Sequence, residues 1–188
     1  ALEVHGLVGD FERDLACVPP PRGRRLVAFF GSTIGNLDPV PRRRLLRDIR
    51  AILGPGGRVL LGVDLMKDAG VLRAAYDDAA GVTAAFNRNV LHHVNRILGS
   101  DFRPEAYAHR GFYNDAAGRI EMHLEATSPQ TVRLPGATRT FVAGERIHTE
   151  NSYKYAPREF AAMLSEAGFA DVRCWQDPAG DFAVFHAK

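Results

Sequence analysis

An α/β sheet interrupted by an inserted α+β lobe is the fold class this sequence predicts, on three observations. Two apolar runs, Arg24–Phe30 and Arg58–Asp64, are continuous rather than alternating, the mark of strands buried on both faces. Between them lies a single helical repeat with a proline at its start and glycines at its end. From 67 to 156 the pattern changes to two helices followed by alternating strands, and α/β character returns at Pro157.

Taken in order, Glu3 to Val8 is apolar-rich and reads as a short strand that turns at Gly9-Asp10-Phe11. Pro19-Pro20-Pro21 makes a stiff loop, because each ring fixes φ. The first buried strand follows and is closed by the turn Gly31-Ser32-Thr33-Ile34-Gly35-Asn36-Leu37. Asp38 is the expected N-cap and Pro39 the first helical residue. Leu45, Ile49, Ile52 and Leu53 then fall at i, i+4, i+7 and i+8, one apolar face. Gly54-Pro55-Gly56-Gly57 stops the helix, and Arg58–Asp64 completes a βαβ unit with parallel pairing. In the lobe, helices are expected at Ala69–Ala79 and Val82–Leu98, the second with Val82, Phe86, Val90, Val94 and Ile97 along one stripe. Arg119–Glu125 alternates, with Ile120, Met122 and Leu124 on one side, after the turn Asn114–Gly118, which signals a hairpin. Val132–Val142 and Glu145–Tyr155 are further antiparallel strand segments. Phe160, Met163, Leu164 and Ala167 form the face of a closing helix, and Asp171–Gln176 and Phe182–His186 are the last strands. The expected division is 1–66, 67–156 and 157–188.

Composition excludes several function classes. The 24 Lys and Arg against 22 Asp and Glu leave a formal charge of +2, no footprint for nucleic acid. The one dense basic run, Arg42-Arg43-Arg44 with Arg47, sits on the first helix, where a solvated face is expected. No apolar stretch reaches the roughly 20 residues of a membrane span. The two cysteines, Cys17 and Cys174, are far apart and without a CxxC, which gives no zinc signature and suits a reducing, cytoplasmic setting.

In an open parallel sheet, ligands sit beyond the carboxyl ends of the strands. Three turns have that position: Gly9-Asp10-Phe11, Gly31 to Asn36, and Asp64-Leu65. Gly31 and Gly35 permit positive φ or a close main-chain approach, and Asn36 offers both an acceptor and a donor. A tight connection without a ligand accounts for the same pattern equally well. The turn is neither a P-loop nor a GxGxxG. Asp77 and Asp78 on the first lobe helix are adjacent and diverge, as do His92 and His93, so neither pair suits a metal and none is expected. In Thr149–Tyr155, Glu150 and Ser152 project to the same side of a strand, roughly 7 Å apart. They are spaced to grip a small group bearing N–H donors, such as an imidazole; an exposed polar strand is the plainer reading.

Five ordered stretches change that balance: Phe30-Gly-Ser-Thr-Ile-Gly-Asn-Leu37, Gly62-Val-Asp-Leu-Met-Lys-Asp68, the run from Ala75 to Asn89, Arg119-Ile-Glu-Met-His-Leu124, and Ile147-His-Thr-Glu-Asn-Ser-Tyr-Lys-Tyr155. Together they resemble the S-adenosylmethionine-dependent L-histidine Nα-methyltransferase family of ergothioneine biosynthesis. The resemblance implies a class I methyltransferase (Rossmann-like) sheet with a substrate-binding lobe, S-adenosyl-L-methionine as cofactor and L-histidine as substrate. By position it assigns Asp10 and Phe11 to the adenine and Gly31 to the methionine part and reaction centre. Asn36 is assigned to the substrate α-amino group as the catalytic group, Tyr76 to the carboxylate, Met122 to the imidazole pocket, and Glu150 with Ser152 to the imidazole itself.

The implied chemistry is an SN2 displacement on an activated methyl group, repeated on one nitrogen to give hercynine. The family's first strand, its glycine-rich turn and the acid ending its second strand do not precede Glu3. The expectation is therefore the C-terminal portion of a longer enzyme. The sheet would be incomplete at its N-terminal side, and Leu26–Phe30 would be an apolar edge open to self-association, to Glu3–Val8 re-registering beside it, or to a segment supplied in trans. A related methyltransferase with another amino-acid acceptor, and a non-catalytic binding or assembly fragment, are the alternatives.

Overall fold

The computed structural model describes residues 3–188, which divide into two compact units, 3–66 with 154–188, and 67–153. The first unit is built on β1 (Leu26–Phe29), β2 (Arg58–Asp64), β8 (Arg173–Gln176) and β9 (Phe182–Ala187), in the order β1-β2-β9-β8. β1 and β2 run parallel, Leu26 opposite Arg58 through Phe29 opposite Leu61, and β9 pairs antiparallel with both β2 and β8. The crossover is α1 (Pro39–Leu53), which begins on Pro39 and ends at Gly54, φ 68°. Its Leu45, Leu46, Ile49 and Leu53 are buried, as are Val59, Leu61 and Val63 of β2. From α4 (Pro157–Glu166), Phe160 packs its ring 4.8 Å from Phe185 of β9 and 4.8 Å from Tyr155. Each such side chain contributes about 1.5–3 kcal/mol on burial.

Three expectations fail in this unit. Glu3–Val8 forms no strand; it is exposed coil and pairs with no strand among the described residues. A strand without a neighbour to take its hydrogen bonds is not stable in water, whatever its apolar content. β1 is shorter than the run that encodes it and is not buried on both faces, because it lies at the sheet edge and Leu26 stays 57% exposed. Arg42 is buried rather than solvated. Its guanidinium donates to Tyr155 Oη at 2.9 Å and lies 5.3 Å over that ring, so the aromatic face supplies what water would have.

The second unit carries α2 (Ala69–Tyr76), α3 (Val82–Leu98) and an antiparallel sheet of β3 (Tyr107–Asn114), β4 (Arg119–Ala126) and β7 (Arg146–Tyr153), in that order. A separate hairpin, β5 (Gln130–Leu134) and β6 (Ala137–Phe141), replaces the single run expected over Val132–Val142. Pro135 and Gly136, the latter at φ 71°, break that run into two strands. α2 stops at Tyr76, so Asp78 lies beyond it. The Asp78 carboxylate accepts from the backbone N–H of Thr83 (2.8 Å) and Val82 (3.0 Å) at the start of α3, bonds that hold it at about 2. The apolar stripe of α3 also faces the other way from expectation. Asn87 and Leu91 are buried, whereas Val82, Phe86 and Ile97 are mostly exposed. Asn87 is drawn inward by polar partners on β3 and β4, and Leu91 joins Tyr107 and Leu124. His92 and His93 are exposed on α3, and His93 pairs with Arg96 at 2.8 Å. No helix among the described residues is long and apolar enough to cross a membrane.

Candidate functional site

In the first unit the turn after β1 takes two residues in succession through positive φ, Gly31 at 75° and Ser32 at 56°. Glycine adopts that region freely; serine does so at a cost of about 1 kcal/mol. The conformation is held by Ser32, whose backbone N–H donates to Gly62 O (3.2 Å) and whose Oγ accepts from the Asp64 N–H (2.9 Å). A 3-10 turn over Thr33–Asn36 follows, with Ile34 fully buried as its anchor and Asn36 exposed at its end. A Cβ built on Gly31 would meet only Thr33 Oγ1, at 3.7 Å. The main chain is therefore open to a ligand at the carboxyl end of β1, which suits the methionine end of the implied cofactor.

Behind this turn sits an ion pair absent from the candidate residues read in the sequence. Lys154 Nζ lies 2.7 Å from Asp64 Oδ2, with the lysine side chain fully buried and the aspartate about one-fifth exposed. Tyr155 ties the same corner together: its N–H donates to Asp64 O, its hydroxyl donates to Ile34 O, and Arg42 donates to it. Asp64 was legible as a strand-end acid, but Lys154 lies far along the chain and only the fold brings it there. Asp10 and Phe11 lie in an exposed turn, closed by Arg13 N and Asp14 N donating to Asp10 O. Both line an open pocket with Leu7, Val8 and Leu15, and the Phe11 ring packs edge-on against Phe29 at the end of β1 (5.4 Å).

The second unit gathers the remaining four residues. Glu150 on β7 stands opposite Met122 on β4, and Ser152 opposite Ile120. Tyr76, at the end of α2, places its hydroxyl 2.7 Å from Ser152 Oγ. Ser152 and Met122 are buried, Glu150 and Tyr76 half-buried, and Leu72, Ile120 and Tyr113 complete the apolar surround. A bulge lies between Met122 and His123, where Thr149 Oγ1 donates to Met122 O at 2.9 Å. It takes Thr149 out of register, so that His148 falls beside His123, on the side of the sheet away from Met122 and Glu150.

On that other side, Glu121, His123 and His148 have the residue types of a metal site, with ligand atoms within 4.8 Å of one another. Two features oppose it. Glu121 already accepts from Arg119, Asn114 and His123, and the guanidinium already supplies it with a cation. The two imidazoles stack at 4.5 Å with planes 12° apart, so their in-plane lone pairs run side by side rather than converging. Burial acts to raise the Glu121 carboxyl, but the hydrogen bonds from Arg119, His123 and Asn114 outweigh it and hold it at about 2. Burial also pushes the His123 imidazole down, against the hydrogen bond to Glu121 that raises it.

Comparison with known proteins agrees with the sequence motifs. The family model described as histidine-specific methyltransferase, SAM-dependent, matches residues 1–188. Proteins named histidine N-alpha-methyltransferase are 50% identical in Mycolicibacterium smegmatis and 47% in Mycobacterium tuberculosis, each over 97% of this chain. The chain spans 57% of the length of these two relatives. A protein named ergothioneine biosynthesis protein 1 from Schizosaccharomyces pombe is 25% identical over 98% of the chain and 24% of its own length. Among solved structures, a S-adenosylmethionine-dependent methyltransferase from Clostridium acetobutylicum aligns with a TM-score of 0.46 and 10% identity, over 97% of this chain and 63% of that one.

Proposed function

This chain belongs to the histidine-specific, SAM-dependent methyltransferase family, and from that premise we propose that its protein transfers methyl groups from S-adenosyl-L-methionine to the α-amino nitrogen of L-histidine, repeatedly, to give hercynine. The observation that carries the reading is the cluster in the second unit, where two hydroxyls in contact share a sheet face with a carboxylate and a methionine. That set suits a small zwitterion with an imidazole side chain. Hydroxyls donate to a carboxylate, a carboxylate accepts from ring N–H, and the thioether lies against the ring face.

When bound, the cofactor supplies a methyl group activated by its positive sulfur. The chain's task is to present a neutral amine in line with it and to exclude alternatives. A free α-amino group titrates near ~8, so a useful neutral fraction exists near neutral pH without a strong base. In this reading the exposed Asn36 accepts an N–H of the amine through its side-chain oxygen and so orients the nitrogen lone pair. The open main chain at Gly31 would hold the methionine end of the donor. Each methylation removes an N–H, so orientation passes from that hydrogen bond to shape. In the second unit, Tyr76 takes the carboxylate, Glu150 and Ser152 the imidazole, and Met122 lines the pocket.

Steady-state kinetics on histidine, tryptophan and tyrosine test these roles. Asn36→Ala is expected to lower kcat about 10²-fold with little change in KM for histidine, the mark of an interaction made in the transition state. Glu150→Ala is expected to raise KM for histidine and narrow its advantage over the other two amino acids. The reverse pattern overturns the assignment, and equal turnover of all three amino acids by the unaltered protein overturns the choice of substrate.

A further inference from the structure

We propose that His109 is a positioning residue that seats Tyr76 for substrate, a role that rests on the reading of Tyr76 and Ser152 as amino-acid ligands. α2 ends at Tyr76, so the Tyr76 carbonyl has no partner within its own helix. It accepts instead from His109 Nε2 on β3, at 2.8 Å. A carbonyl only accepts, which assigns the ring proton to Nε2 and leaves Nδ1 as an acceptor. Asn87 Nδ2 fills that acceptor at 2.9 Å and gives its second hydrogen to His123 O at 3.2 Å. Both hydrogens of the amide are thereby used, and the order Asn87 to His109 to Tyr76 runs in one direction only. His109 and Asn87 are almost wholly buried, so water does not substitute for either link.

A second contact pins the same peptide. Gly111 lies two residues further along β3, opposite Met122, and a Cβ there would stand 2.7 Å from the Tyr76 carbonyl oxygen. The end of α2 therefore rests directly on β3, between a glycine it cannot do without and a histidine that holds it. From that base the Tyr76 side chain spans to β7, where its hydroxyl meets Ser152. β3 fixes the foot of the tyrosine and β7 receives its tip, so freeing the foot moves the hydroxyl relative to Glu150.

The test is a double-mutant cycle in the full protein, read as KM and kcat for histidine. His109→Ala is expected to raise KM about 10-fold, with kcat within about 3-fold and the cofactor KM unchanged. His109→Gln, which keeps a donor near the Nε2 position, recovers most of the loss. Gly111→Ala raises KM in the same way. Tyr76→Phe raises KM as well, and combined with His109→Ala it is no worse than the worse single variant. Losses that multiply in the double variant overturn the proposal, as does a Tyr76→Phe defect that His109→Ala fails to reproduce. Tyr76→Phe without any change in KM is a separate failure, that of the substrate reading itself. Should His109→Ala not fold, the cycle is read from Gly111→Ala with Tyr76→Phe.

Discussion

In the first unit the exposed Asn36 stands on a turn whose shape is set by main chain. Gly31 and Ser32 share positive φ, one serine hydroxyl takes the Asp64 amide, and a buried ion pair backs the corner. In the second unit the polar groups are held by side chains on a packed sheet, and a chain of neutral hydrogen bonds from Asn87 through His109 anchors Tyr76 from behind. The first region rests on a buried charge pair and a strained turn. The second spreads its restraint over several neutral partners. Ion pairs in low dielectric are costly to break on one side, whereas a network of neutral bonds yields by about 1 kcal/mol per bond lost. The two regions should therefore fail in different ways.

The largest effect is expected at the ion pair. Asp64→Ala leaves the fully buried Lys154 ammonium without this carboxylate and should cost about 3–5 kcal/mol by chemical denaturation. Lys154→Met should cost less, because Asp64 keeps some contact with water. Equal costs, or a larger one at Lys154, would mean that the pair is not what braces the corner. A smaller effect separates strain from hydrogen bonding at Ser32. Ser32→Ala keeps the positive φ and loses the bond to the Asp64 amide, for about 1 kcal/mol. Ser32→Gly loses the same bond but relieves the backbone, and should fall close to the unaltered protein. If the two variants have the same stability, Ser32 is not strained.

The last effect, present in full at neutral pH and fading in acid, concerns Glu121 on the His123 side of the second sheet. Its carboxyl is lowered from 4.5 to about 2. The stabilisation it provides is therefore complete above about 4.5 and is lost as pH falls toward 2. Glu121→Gln should flatten the fall in melting temperature across that interval, and an unchanged slope would mean that Arg119 and His123 do not hold the carboxylate.

Most elements were legible along the chain. α1, β2, α3 and the β3–β4 hairpin follow their periodicity and their glycine and proline signals, because those signals act within one or two turns of backbone. The segment from Glu3 to Val8 carried a strand-like composition and formed none, since strand formation requires a partner that composition does not specify. On α3 the apolar stripe predicted the helix but not its buried face; Asn87 turned inward because His109 and the His123 carbonyl were there to receive it. The same-side projection of Glu150 and Ser152 was readable from a period of two. The bulge that brings His148 beside His123 was not.

Sequence by itself determined the element types, the continuous βαβ core, the family, and the residue types offered at each turn, because helix and strand periods and ordered motifs are written locally. Only the tertiary structure decided that Lys154 meets Asp64, that Arg42 is buried on Tyr155, and that His109 holds the foot of Tyr76. Those contacts join residues far apart in the chain, and desolvating a polar group is tolerable only where pairing across strands supplies the matching donor or acceptor.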